Sequence, residues 1–399
     1  MAETLDSKPY NIESTITHVK SLAFNRSAES VGESKAVFYI QQELKKKEIE
    51  SKIEYFTFSG PKTLLTRIIY IIIFSYLILS RLIVLLLICL AIKFFFPTER
   101  TFSLVKREKS KNLIAKIPAK RQVSKRPVII FSAHYDTFSA NLPYKLQNVL
   151  IFIFRIIFIP YLVLTFGFSI WFVVDVFSGS VNQSLIISLV IYSSIIQFSL
   201  ILLIFILIYN NKKSTGSIDN ASGVSILIEL AKLIIENPLQ NMDVLFLWSG
   251  AEEWGCLGSQ NFIERHTKEL KINYNLNNSF NINLDMVGSY IGLLTGYGIF
   301  RKKKINDTLN ESLEASANKL EIPLNKFNSM INPTMDHKTF LYFSKTTKSL
   351  FQVACFHSYK DSKYIHSSED TPDKCSQAVL NGCLDICYET IKLIDSMMN

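Results

Sequence analysis

The sequence predicts an α/β fold, a mixed central β-sheet flanked by helices, with apolar helical hairpins inserted into it. Three observations predict it. Short, mostly apolar runs at Pro127–Ala133, Val244–Trp248 and Phe280–Leu284 each lead within a few residues to His, Asp or Glu, as strands of a mostly parallel sheet do when ligands gather at their C-terminal ends. Between two of them the apolar positions switch to helical spacing, over Val224–Asn237 until Pro238 closes the helix. Finally, 48% hydrophobic residues and a mean hydropathy of +0.21 over 399 residues exceed what a soluble domain of this size carries.

Residues 1–20 are polar and show no apolar signal-peptide core. Apolar positions recur helically through Ala36–Leu44, and Ser51–Phe58 then reads as a strand with Ile53, Tyr55 and Thr57 on one face and Glu54, Phe56 and Phe58 on the other. Leu64–Phe96 is apolar but broken by Arg67, Arg81 and Lys93, and each of its runs is shorter than the roughly 20 residues of a full span. A single crossing there would separate strands of one sheet, so the expectation is a re-entrant or interfacial hairpin over 63–97. Runs of this length also suit buried core helices. Ile156–Val174 and Ser184–Tyr209 carry no charge and are joined by the short turn FSGSVNQS, which predicts a transmembrane hairpin over 141–211. The catalytic domain would then be discontinuous, over 1–62, 98–140 and 212–399.

A net charge of +9 could serve nucleic acid, yet Lys and Arg are scattered and no nucleic-acid module is present, so anionic lipid at the basic flanks is the expected partner and no nucleic acid is. Lys106, Arg107, Lys109, Lys212 and Lys213 flank the apolar segments on the catalytic side, which places that side in the cytoplasm. The six cysteines form no CxxC pair and no disulfide framework.

The chemistry centres on Glu252-Glu253, two carboxylates at a strand end. One can bind a cation while the other faces a water on it, which divides ligand from general base. Asp219 lies at or just before a helix N-terminus, in SIDNASG, where a simple cap is the plainer reading. In His134-Tyr135-Asp136 the i, i+2 spacing lets Asp136 hold the His134 ring. Asp285 follows the strand Phe280–Leu284. His366 follows a loop beyond Ser349–Phe356, and Thr371 with Pro372 reads as the start of the last helix. His134, Asp219, Glu253, Asp285 and His366 together suit two Zn²⁺ sharing a carboxylate, although the donor types equally admit Co²⁺ or Mn²⁺. Cys256 reads as a small packing residue.

The segments SAHYDT, SIDNASGV, LFLWSGAEEWGCLGS, NINLDMVG, MDHKTF and YIHSSEDTPD resemble, in order, the motifs of the zinc aminopeptidases of metallopeptidase family 28. The resemblance implies a zinc exopeptidase fold, with Asp219 bridging two zinc ions, His134 and Asp285 on one, Glu253 and His366 on the other, and Glu252 and Asp136 in catalytic roles. Asp336 and His337, in MDHKTF, match a motif near the active site, as a substrate or active-site wall. The implied activity is membrane-anchored hydrolysis of N-terminal peptide bonds in peptide substrates, with Glu252 as general base. A glutaminyl cyclase-like acyltransferase and a non-catalytic membrane scaffold are the alternatives. The apolar inserts depart from the family pattern, and nothing in the sequence fixes the oligomeric state.

Overall fold

A computed structural model describes residues 13–58, 108–140 and 213–398, except 122 and 300, together with isolated positions between 146 and 199. The chain divides into two compact units, Met1–Phe56 with Lys109–Ser139 and Lys212–Asn399, and Thr57–Glu108 with Ala140–Asn211. The hairpins expected over 63–97 and 141–211 lie almost wholly outside the described residues. The isolated described positions of the second are helical, and Val149, Phe152, Ile156, Tyr192 and Ile195 among them are exposed while Gln147 is buried. Among the described residues no helix is long and apolar enough to cross a membrane.

The larger unit is built on a nine-stranded mixed sheet. Its strands are β1 (Ser51–Phe58), β2 (Glu108–Ile117), β3 (Val128–His134), β4 (Asp243–Ser249), β5 (Phe280–Leu284), β6 (Gly292–Tyr297), β7 (Lys303–Lys304), β8 (Asn325–Ser329) and β9 (Gln352–Phe356). They lie in the order β1-β2-β4-β3-β5-β9-β6-β7, with β8 paired to β6. The strands β4, β3, β5 and β9 are mutually parallel, and β2 and β6 pair antiparallel on either side of them. Every residue of β3, β4 and β5 is buried, as befits the mostly apolar runs of β3 and β4, while β5 buries Asn281 and Asn283 among its apolar residues. In β1 only one face is buried, and Glu54, Phe56 and Phe58 are on it, as the alternation predicts.

The helices are α1 (Ser14–Ser21), α2 (Val31–Lys45), α3 (Ser222–Glu236), α4 (Leu257–Asn273), α5 (Leu309–Lys319), α6 (His337–Thr347) and α7 (Gln377–Ser396). The chain passes from β3 through α3 to β4 on one side, then through α4 to β5 on the other side of β3. Right-handed crossovers that move in opposite directions put their helices on opposite faces. Accordingly Phe262, Ile263 and Leu270 of α4 join Phe340 and Phe343 of α6 over Val128, Ile130, Leu245 and Leu247 on one face. On the other, α3 packs on β3 and is covered by α1, α2 and α7. A crevice must open where the connections diverge, at the C-terminal ends of β3, β4 and β5.

The last helix is shorter than the sequence predicts. Thr371 and Pro372 open a single 3-10 turn, Pro372–Lys374, and α7 begins at Gln377, because the Cys375 and Ser376 backbone is extended.

Candidate metal centre

The crevice gathers the acidic residues and histidines predicted from strand ends. His134, the last residue of β3, places Nε2 3.0 Å from Asp219 Oδ1 and 3.8 Å from Asp285 Oδ1. His366 places Nε2 2.9 Å from Glu253 Oε2 and 3.4 Å from Asp219 Oδ2. Asp219 thus faces both histidines, one with each oxygen. Two groups of potential ligands result, His134-Asp219-Asp285 and Asp219-Glu253-His366, with Asp219 common to both.

The chain around Asp219 explains the wording SIDNASG. Residues Ser217–Ala221 form an irregular turn before α3 in which Asp219 has non-helical angles, so it does not cap the helix. Asn220 donates from Nδ2 to the Leu284 carbonyl and accepts at Oδ1 from the Gly223 and Met286 amides, while Ser222 Oγ accepts from the Val287 amide. These bonds tie the Asp219 loop to the Asp285 loop and fix the distance between their carboxylates. Gly223 is required there, since a Cβ would come within 2.5 Å of the Leu284 carbonyl oxygen.

Two buried groups that the sequence reading did not single out stand behind Asp219. Asp370 Oδ1 accepts from the Ile218 amide at 2.6 Å and Oδ2 from the Asp219 amide at 3.4 Å. Burial and the charge of Asp219 push its carboxyl up to about 7. Arg26 is fully buried and donates to the carbonyls of Tyr135, Leu22, Phe24, Thr215 and Gly216. Its guanidinium therefore clamps the exit of β3, beside His134, to the turn that carries Asp219. Burial lowers it to about 10, although Asp370, Asp136 and Asp219 act to keep its proton. Gly216, at φ +62°, leaves room for it.

Asp136 meets the His134 ring on its Nδ1 side, with its carboxylate Oδ1 at 3.6 Å and its main-chain carbonyl at 3.2 Å. The same carboxylate also accepts from the Glu252 and Glu253 amides, at 3.0 and 3.3 Å. Asp136 positions the turn that presents the two glutamates.

That turn, Glu252–Trp254, is entered at Ala251 with φ +52° and left through Gly255 and Cys256 at φ +107° and +60°. Met286, next to Asp285, and His366 itself also have positive φ. Such conformations are costly for residues with a Cβ, and here they flank the ligands. The turn sends the glutamates apart. Glu253 meets His366, while Glu252 Oε1 accepts from the Cys256 thiol at 3.3 Å and faces Asp336. Asp336 and His337 are fully buried. Asp336 Oδ2 accepts from Ser249 Oγ. His337 bonds Asn332 at 2.8 Å, and burial with nearby His357 and Lys338 pushes it down to about 3, so it is neutral. Phe138 packs edge-on against His366 and Trp254, forming an apolar wall.

Burial opposes charge on the histidines, yet the facing carboxylates win. His366 is held up to about 10 by Glu253 and Asp219, and His134 well above its usual value by Glu252, Asp136 and Asp219. Asp219 is buried too, but the two histidines hold its carboxyl far below the usual range. Glu252 goes the other way: burial and the charges of Asp285, Asp336 and Glu253 raise it well above an ordinary glutamate, against the pull of His134. The donors fit zinc, which takes imidazole nitrogen and carboxylate oxygen. Moreover Glu253 Oε1 is buried with no hydrogen-bond partner, as a group awaiting a cation would be.

Residues 206–391 match the model described as "Peptidase family M28". Aminopeptidase YwaD of Bacillus subtilis (strain 168) is 39% identical over 77 residues, 19% of this chain and 16% of the length of that relative. The comparisons support peptidase family M28. Solved structures share the fold. A zinc aminopeptidase of Bacillus subtilis superposes with a TM-score of 0.54 at 14% identity, covering 96% of this chain and 95% of that one. The aminopeptidase of Aneurinibacillus sp. strain AM-1 gives 0.55 at 15% identity, covering 96% and 93%. A glutaminyl cyclase of Fimbriiglobus ruber gives 0.58 at 14% identity, covering 98% and 97%.

Proposed function

We propose that the protein is a zinc-dependent aminopeptidase that cleaves N-terminal peptide bonds. The observation that carries this reading is Asp219, whose two oxygens face two separate histidine–carboxylate pairs while Glu252 stands free of both. His134 and Asp285 would hold one zinc, Glu253 and His366 the other, and Asp219 both. When bound, zinc supplies Lewis acidity toward the scissile carbonyl and acidifies water. Glu252 takes the proton of the attacking water and returns it to the leaving amine, a role its raised affinity for protons suits. The Cys256 thiol and the Asp136-held amide of Glu252 keep that carboxylate in place. Phe138 and Trp254 narrow the approach beside His366. The surrounding carboxylates suit a substrate's free α-amino group, which favours exopeptidase action.

A panel of aminoacyl-coumarin substrates, with and without chelator, tests the reading. Chelator-sensitive release from free N-termini is expected, and blocked N-termini should resist. Cyclisation of an N-terminal glutaminyl peptide without hydrolysis would favour the cyclase alternative, with which the glutaminyl cyclase neighbour is compatible.

The inserts at 63–97 and 141–211 are proposed to hold this domain on the cytoplasmic face of a membrane. The uncharged runs Ile156–Val174 and Ser184–Tyr209 and the basic residues Lys106, Arg107, Lys109, Lys212 and Lys213 support it. Cysteine labels at residues 60 and 100 should react from the cytoplasmic side alone.

A further inference from the structure

We propose that Glu252, Cys256 and Asp336 form a third cation site, one that takes a thiophilic dication and thereby withdraws the general base. None of the three belongs to the ligand groups around Asp219. One donor atom from each lies within 4.8 Å of the others, and all three residues are buried. The Cys256 sulfur already stands 3.3 Å from Glu252 Oε1.

An independent observation marks the place as a ligand site. Ser249 and Ser259 flank the Asp336 carboxylate, Oδ2 accepting from Ser249, while among the described residues its buried Oδ1 meets no partner at hydrogen-bonding geometry. A buried carboxylate oxygen left so is costly, and a bound cation would satisfy it. A cleft adjoins the site at its sulfur. Cys256 lies on the wall of a cleft of about 600 Å³ lined also by Gly255, Thr334, Lys338, Thr339 and Tyr342, between α4 and α6.

The donor types set the cation. A thiolate and two carboxylates suit Zn²⁺ or Cd²⁺ and do not suit Mg²⁺ or Ca²⁺, which prefer oxygen alone. Burial, with Glu252 and Asp336 nearby, holds Cys256 in its thiol form. The binding cation must therefore displace that proton: a metal–sulfur bond forms, the S–H bond breaks, and one proton leaves to solvent. Three anionic donors then surround one dication, so the occupied site remains negative and is not repelled by cations at Asp219. With Glu252 coordinated, no base remains for the attacking water.

Cadmium titrated into the zinc-loaded protein tests this. Cadmium and zinc per chain are measured by elemental analysis, and thiolate coordination by the ultraviolet sulfur-to-cadmium charge-transfer band. One cadmium should bind without loss of zinc, the band should grow with it, and turnover should fall in parallel. Cys256→Ser should abolish the band and weaken cadmium binding by roughly tenfold or more, since even outer partners of a metal site are worth that. Asp336→Asn, which keeps the thiol, should retain the band at correspondingly higher cadmium. Zinc release matching cadmium uptake, a band that survives in Cys256→Ser, or full turnover with the site occupied would each overturn the proposal. Stoichiometry and band do not depend on peptidase activity, so a failure of the aminopeptidase reading appears separately, as absent turnover before cadmium is added.

Discussion

The two halves of the ligand cluster are built differently. His134 and Asp285 leave β3 and β5, adjacent parallel strands in register at Ser132 and Asn283, so the sheet spacing of about 4.8 Å sets their separation. Glu253 and His366 come from a 3-10 turn and a loop, and the His366 side chain is 13% exposed against 2% for His134. One half is pre-organised by the core and the other stands at the rim, which is where substrate must enter. Rigidity and access are thus divided between two positions that share one carboxylate, as expected where a scaffold positions loops that carry function.

The largest effect should come from the residue that belongs to both halves. Asp219→Asn leaves a neutral bridge between two dications, and elemental analysis should find less than one zinc per chain. Retention of two would break the scheme. A smaller, unequal effect is expected from the histidines. His366→Ala should lose one zinc and keep the strand-held one, whereas His134→Ala should lose the tighter one. Equal losses would mean that the sheet confers no advantage. Asp370→Asn, which holds the amides of Ile218 and Asp219 and is not among the ligand groups, should weaken zinc by roughly 10- to 100-fold without removing a ligand. Competition with a chelator of known affinity measures it.

The smallest effect is a pH dependence confined to the chelated protein. His366 is raised from 6.5 to about 10, so its protonated form stabilises the fold fully below 6.5 and ceases to do so as pH rises through about 10. Asp219 has the opposite sign and matters only in acid. Thermal unfolding of chelated protein should therefore shift downward between about pH 7 and pH 10. In the zinc-loaded protein His366 is neutral, and the shift should be absent. A parallel shift in both forms would place its origin elsewhere.

The half of the site on β3 and β5 was legible because a strand buried on both faces reads as a mostly apolar run, and the first ionisable residue at its C-terminal end marks the crevice. Glu253 was legible for the same reason, beside β4, whereas Asp219, before α3, read alone as a simple cap and joined the ligand set only together with the other four residues. Less could be read where the chain leaves regular structure. Asp136 was expected on the His134 ring and is there, but its further bonds to the Glu252 and Glu253 amides arise beyond the end of the strand, where no alternation foretells them. Arg26 sits in a polar loop far from Asp219 in sequence, and only the fold brings it beneath the turn. Asp370 lies four residues beyond His366 in a segment that resembles an ordinary acidic surface loop. The polar strand Asn325–Ser329 and the two-residue strand Lys303–Lys304 carry no period to detect.

The division of labour between Glu253 and Glu252 is tested most directly by measuring zinc and turnover together on Glu252→Gln protein. Shape and ligands are preserved, so two zinc ions per chain should remain while aminoacyl-coumarin turnover falls by roughly 10²-fold or more. Near-normal turnover with two zinc ions bound would contradict the assignment of Glu252 as the base, and loss of zinc would make it a ligand.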